Sequence, residues 1–104
     1  MTWNELITAV EQWAEARKII PNSTPEAQLL KCMSELGELA DAQLKRDRFE
    51  IIDGIGDVLV TLILFAKLSG LDIRDCLAHA YVMIKDRKGI LMPNGVFVKE
   101  DDNA

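Results

Sequence analysis

The sequence predicts an all-α protein, a four-helix, bundle-forming domain with a short C-terminal extension or hairpin. Three observations carry this. Apolar residues recur at helical spacing from Trp3 to Ile84, the helical stretches open on capping residues or close on a glycine or a polar break, and a hairpin pattern follows Gly89.

Thr2-Trp3-Asn4-Glu5 has the form of a capping box, and Trp3, Leu6, Ile7, Val10, Trp13 and Ala14 share one face, so the first helix runs to about Arg17. The stretch from Lys18 to Ser23 lacks a sustained period and carries a Pro21-Asn22 turn signal. Thr24-Pro25 then places a cap before a proline at the first helical position. The second helix extends from Pro25 to about Leu44, with Leu29, Leu30, Met33, Leu36, Ala40 and Leu44 as its apolar stripe, and Lys45-Arg46-Asp47-Arg48 breaks the pattern. A third helix, from about Phe49 to Ser69, is apolar around most of its circumference through Ile51, Ile52, Ile55, Val58, Leu59, Leu62 and Phe65. It stops at Gly70 and is expected deep in a bundle. Asp72 caps a fourth helix carrying Ile73, Leu77, Tyr81 and Ile84 and ending near Lys88-Gly89. Ile90-Leu91-Met92 and Val96-Phe97-Val98 flank Pro93-Asn94-Gly95, which is a hairpin signal. Residues 1–104 read as one domain, with 99–104 as a flexible tail.

Apolar residues make up 49% of the chain and charged residues 28%, a globular composition. The net charge of -5 argues against a nucleic-acid polymer or an anionic membrane as partner. The run from Val58 to Ala66 is too short to cross a bilayer, and Met1 to Glu5 lack the form of a signal peptide, so a cytoplasmic protein is expected. Cys32 and Cys76 lie far apart without metal-ligand spacing and are read as small core hydrophobes. Trp3, Phe49, Phe65 and Tyr81 are read as core; Trp13, flanked by Gln12 and with Glu15 nearby, is the exception and a candidate for contacting a ligand. His79 has no evident catalytic partner and is taken as structural or surface.

The chemistry concentrates in acids. Glu35 and Glu38 lie on one face of the second helix, opposite its apolar stripe, with Lys31 beside them. Glu50, Asp53 and Asp57 line a stripe on the third helix that continues as Val60 and Leu64, so these carboxylates sit on a face becoming buried. Taken one helix at a time, such acids are a solvated face, Glu35 and Glu38 pairing with Lys31. Taken together, on consecutive and antiparallel helices, the two stripes favour a bound cation, because carboxylates entering a bundle are destabilising unless compensated. Oxygen ligands without His or Cys suit magnesium, with manganese possible, better than zinc. Gly54 and Gly56 inside a strong helix suggest close approach by another helix or a ligand. Lys85, Arg87 and Lys88 are candidates for phosphate contacts, although cations there also complement the helix dipole.

Gln28-Leu29-Leu30-Lys31, Ser34-Glu35-Leu36-Gly37-Glu38-Leu39-Ala40 and Asp53-Gly54-Ile55-Gly56-Asp57-Val58-Leu59-Val60 resemble the MazG-like all-α nucleoside triphosphate pyrophosphohydrolases, particularly short phage and bacterial members. The likeness spans Trp13 to about Lys99 and includes Ile84-Lys85-Asp86-Arg87-Lys88-Gly89. The family pattern is ExxE on one helix and ExxD on the next. Glu35 and Glu38 match the first half and Asp57 the final acid. Gly54 stands where the family usually has Glu, and Asp53, one residue earlier, is its replacement.

The resemblance implies magnesium-dependent hydrolysis of a nucleoside triphosphate or related nucleotide to the monophosphate and pyrophosphate. Glu35, Glu38, Asp53 and Asp57 would be the metal ligands, and Glu35 or Glu38 the base. Lys31, Lys85, Arg87, Lys88 and Trp13 would contact substrate. It also implies a homodimer or homotetramer. The competing expectation is a non-catalytic helical dimer that binds metal or nucleotide.

Overall fold

The computed structural model describes residues 1–100, and two compact units divide the chain, the first spanning Met1–Ile73 and the second starting at Arg74. Among the described residues five helices and one hairpin form, in the order α1 (Trp3–Ala16), α2 (Ile19–Asn22), α3 (Pro25–Lys45), α4 (Arg48–Leu68), α5 (Ile73–Ile84), β1 (Gly89–Leu91) and β2 (Phe97–Lys99). The all-α class and the four long helices are those the sequence predicts. The segment after α1, expected to be irregular, adds the single turn α2.

Local chemistry sets the helix ends. The Thr2 hydroxyl accepts from the Glu5 N–H at 3.1 Å while the Glu5 carboxylate accepts from the Thr2 N–H at 3.1 Å, a complete capping box. The Thr24 hydroxyl accepts from the Ala27 N–H at 3.1 Å, with Pro25 following at the first helical position. Asp47 caps α4 by accepting from the Glu50 N–H at 3.1 Å, a signal hidden inside what reads as a charged break. Gly70, at φ 74°, closes α4: its N–H reaches Lys67 O at 3.1 Å and the Leu71 N–H reaches Ala66 O at 2.8 Å, satisfying the last carbonyls.

The core of the first unit is Ile7, Ala14, Ile63 and Leu64, with Val10, Ile19, Ile20, Val60 and Ile73 packed around it. Thus α1 and α2 cover only the C-terminal half of α4. The one buried hydroxyl there, Thr61, donates to Val58 O at 2.8 Å, so its burial leaves no polar group unmet. The N-terminal half of α4 lies along α3, joined through the tight turn at Arg46 and Asp47, where Asp47 N–H reaches back to Ala42 O at 3.1 Å.

Close approach here depends on a missing side chain. A Cβ at Gly54 would stand 3.1 Å from Leu39 Cδ1, 3.3 Å from Leu39 Cβ and 3.5 Å from Leu39 Cα. Gly54 therefore lets α3 and α4 touch backbone to side chain. Gly56 has open space instead, so close approach by another helix holds for Gly54, and no other part of the described chain approaches Gly56.

Several burial expectations are reversed. The buried α3 residues are Cys32 and Ala42, with Leu39 partly buried against Gly54, whereas the stripe Leu29, Leu30, Met33, Leu36, Ala40 and Leu44 is exposed, as are Phe49, Ile52 and Ile55 of α4. Small residues on the inward face bring the helices together and leave the large side chains outside this chain's core. Trp3 and Tyr81 are exposed rather than core, and so is Cys76, while Cys32 is buried as expected.

In the second unit α5 ends at Ile84, four residues before the expected stop, and the chain turns into the antiparallel hairpin pairing Gly89 with Lys99, Ile90 with Val98 and Leu91 with Phe97. The turn is a three-residue loop: Gly95 N–H reaches Met92 O at 2.9 Å, and Gly95 at φ 87° returns the chain so that Met92 N–H meets Val96 O at 2.8 Å. Lys99 belongs to β2 and the Glu100 N–H meets Lys88 O at 2.8 Å, so ordered pairing extends into the expected tail; residues 101–104 lie outside the described ones. No helix among the described residues is long and apolar enough to cross a membrane.

Candidate functional site

Helices α3 and α4 form an open cup of about 300 Å³ lined by Glu35, Glu38, Asp41 and Lys45 from one and Glu50, Asp53, Gly54 and Asp57 from the other. The four acids singled out from the sequence therefore converge on one cavity. Helical spacing explains the α3 row, since 31, 35, 38, 41 and 45 advance by three or four residues and stay on one face. The antiparallel turn brings the α4 row opposite it, and Gly54 allows the two to face each other closely.

Sequence reasoning missed two residues of this cup as site residues, Asp41 and Lys45, and left Glu50 in the stripe without a role. The signal was available: Asp41 follows Glu38 by three residues and Lys45 follows Asp41 by four. In the sequence Lys45 reads as part of a charged break with Arg46, Asp47 and Arg48.

Electrostatics in the cup are dominated by like charges. Lys31 Nζ sits 3.3 Å from Glu35 Oε1, and the Glu35 side chain is 12% exposed, so the pair is half-sheltered rather than freely solvated. A hydrogen bond with Glu35, together with the Glu35 charge, holds the exposed Glu38 carboxyl above its ordinary value; slight desolvation and Asp57 push the same way while Lys31 opposes. Two carboxyls joined by a hydrogen bond must share a proton, which is why the bond favours the protonated form. Asp57 is also pushed up, first by burial and then by the charges of Asp53 and Glu35.

The donor atoms are carboxylate oxygens throughout, the set that hard divalent cations prefer. Among the described residues no three such side chains are gathered tightly enough to hold an ion as they stand. Like charges contribute to the raised Glu38 and Asp57 carboxyls, behind the Glu35 hydrogen bond for the first and burial for the second, and a bound cation would relieve that repulsion. The residues fit a divalent cation in chemistry and placement, with side-chain rotation needed to close around it.

A second hollow adjoins the first. About 400 Å³ in volume, it is lined by Leu6, Ala9, Val10, Trp13, Val60 and the same Asp57 that lines the acidic cup. Trp13 is half-exposed, with the Arg17 guanidinium 5.5 Å from its ring centroid. Lys85, Arg87 and Lys88 are exposed residues of the second unit, between the end of α5 and β1. His79 is exposed on α5.

The profile of the MazG nucleotide pyrophosphohydrolase domain matches residues 23–89, which include α3, α4, α5 and every residue of the acidic cup. The chain belongs to the MazG family. An uncharacterised 18.2 kDa protein from the rep-hol intergenic region of Haemophilus phage HP1 is 41% identical over 68 residues, covering 65% of this chain and 42% of that protein. The chain thus spans less than half the length of that curated relative. A cyanophage S-2L MazG-like pyrophosphohydrolase, solved bound to dGDP and three catalytic Mn2+ ions per active site, shares the fold with a TM-score of 0.71 at 23% identity, over 97% of this chain and 99% of that one. Gly54, the position where the resemblance implies a glutamate, is buried against Leu39.

Proposed function

We propose that this MazG chain is a divalent-metal-dependent nucleotide pyrophosphohydrolase, cleaving a nucleoside triphosphate or related nucleotide between the α and β phosphates to the monophosphate and pyrophosphate. The observation that carries the reading is the convergence of Glu35, Glu38, Asp53 and Asp57 on one cup shared by α3 and α4. The cyanophage protein of the same fold, with its nucleotide and Mn2+ ions, supports it.

Glu35, Glu38, Asp53 and Asp57 would hold Mg2+ or Mn2+, and a cation so held supplies charge neutralisation for the phosphates and a lowered pKa for the attacking water. Glu35 or Glu38 accepts the proton of that water as its oxygen bonds to the α phosphorus and the bond to the bridging oxygen breaks, releasing pyrophosphate. Lys31 keeps Glu35 in place through their ion pair and is a phosphate contact in this reading. Lys85, Arg87 and Lys88 are further phosphate contacts in this reading. Trp13 and the apolar hollow beside Asp57 take the nucleoside, an apolar surface being suited to a base face.

Leu29, Leu30, Met33 and Leu36 on α3 and Phe49, Ile52 and Ile55 on α4 are all exposed large apolar side chains, which supports assembly into a homodimer or homotetramer. Gly54 favours one second reading: with no carboxylate at that position, the chain binds metal or nucleotide as a helical dimer without turnover. Incubating the protein with natural and modified dNTPs and Mg2+ or Mn2+, and assaying pyrophosphate, separates the two. Release from at least one nucleotide is expected, and binding without release selects the second.

A further inference from the structure

We infer that Lys45 grips the terminal phosphates of the substrate, so that the triphosphate lies along α3 and α4 with its tail towards the turn at Arg46 and Asp47. The inference rests on the nucleotide reading of the cup. Lys45 lines the cup among carboxylates yet forms no ion pair among the described residues, whereas Lys31, on the same face, is bound to Glu35. An ammonium in an acidic cavity that no carboxylate has claimed is free to meet an incoming anion. Its helical direction suits this: α-helical side chains lean towards the N-terminus, which carries the Lys45 stem back over Asp41 and into the cup rather than out past the turn.

The order of groups then gives the substrate a polarity. Asp57 lies at the end of the cup that adjoins the apolar hollow, and Lys45 lies at the other end. Between Asp57 and Glu50, which faces the Lys45 end, α4 rises roughly 10 Å, a span suited to a nucleoside at one end and a polyphosphate tail at the other. The α–β bridge therefore falls between Glu35, Glu38, Asp53 and Asp57, with the leaving pyrophosphate pointing at Lys45. The alternative role for Lys45 is to complement the dipole at the end of α3, which would affect the helix but not the choice between products.

Calorimetric titration of the full chain in excess Mg2+, with pyrophosphate and separately with dGMP, distinguishes the two roles. Lys45→Ala is expected to weaken pyrophosphate about tenfold, the factor that corresponds to about 1.4 kcal/mol, and to leave dGMP within about twofold. Lys45→Arg is expected to stay within about threefold of the parent for both. Equal weakening of both products, unchanged pyrophosphate affinity, or no pyrophosphate binding by the parent protein overturns the inference. Pyrophosphate release from a dNTP panel by the same parent preparation reports separately on hydrolysis. Turnover with an indifferent Lys45→Ala removes this inference alone, and a Lys45-dependent pyrophosphate site without turnover removes the hydrolase reading alone.

Discussion

Gly54→Ala tests how α3 and α4 are held at the spacing the acids require. In an open helix this change is stabilising by about 1 kcal/mol, because alanine loses less backbone entropy than glycine. At Gly54 the new methyl would lie 3.1 Å from Leu39 Cδ1 and 3.3 Å from Leu39 Cβ. The Cδ1 methyl can rotate aside, but Cβ moves only with α3, and forcing a packed contact open costs about 1–3 kcal/mol. The two effects sum to a net loss of roughly 0–2 kcal/mol. Gly56→Ala, two residues along the same helix with open space at its Cβ, carries the propensity gain without the clash. Urea unfolding followed by tryptophan fluorescence measures both. The expected result is a higher midpoint for Gly56→Ala and an unchanged or lower one for Gly54→Ala, with the loss reduced in a Leu39→Ala background. Equal stabilisation by the two substitutions would refute the claim that Gly54 sets the helix spacing.

Other consequences follow from the same geometry. Glu38 and Asp57 titrate above their ordinary values of 4.5 and 3.8 in the folded chain, so between ordinary and raised values the folded state binds more protons than the unfolded state. Stability contributed by these groups then falls as pH rises through that window; in EDTA, the Tm is expected to climb as pH is lowered from neutrality into it, and Glu38→Gln to flatten the slope. An identical slope in parent and variant contradicts the shared-proton account. Mg2+ or Mn2+ added at neutral pH is expected to raise the parent Tm and to do so less in Asp57→Asn, an effect that equal shifts in both proteins would disprove. A charge placed on the exposed stripe, as in Met33→Glu, is expected to lower the assembled mass in light scattering while far-ultraviolet circular dichroism is retained; an unchanged assembled mass, or a parent that is already monomeric, would remove the stripe from any interface.

Much of this fold was legible because its helix boundaries are written in local chemistry. Thr2, Thr24-Pro25, Gly70 and the Pro93-Asn94-Gly95 loop each act within a few residues, and their partners are within the same stretch. The acid cup was legible for a related reason: helical spacing puts Glu35 with Glu38 and Asp53 with Asp57 whatever else the chain does. Burial was not. The stripe from Leu29 to Leu44 and the inward face carrying Cys32 and Ala42 are both apolar enough to be a core, and periodicity cannot say which one its own chain covers. Gly54 admits Leu39 between the two helices, a tertiary contact with no local signature. Lys45 was lost through the opposite error. Its charge next to Arg46 and Arg48 looked like the end of a pattern, although its spacing from Asp41 continues the row.

The central claim is that the acids of α3 and α4 hold a divalent cation for cleavage between the α and β phosphates. Its most direct test is pyrophosphate release from a panel of natural and modified dNTPs by the parent protein, by Glu38→Gln and by Asp57→Asn, each with and without Mg2+ or Mn2+. The account predicts metal-dependent release from at least one nucleotide by the parent and a loss of about 100-fold or more in both variants, the scale expected when a positioned base or metal ligand is removed. Metal-independent release, or release undiminished in both variants, would contradict it.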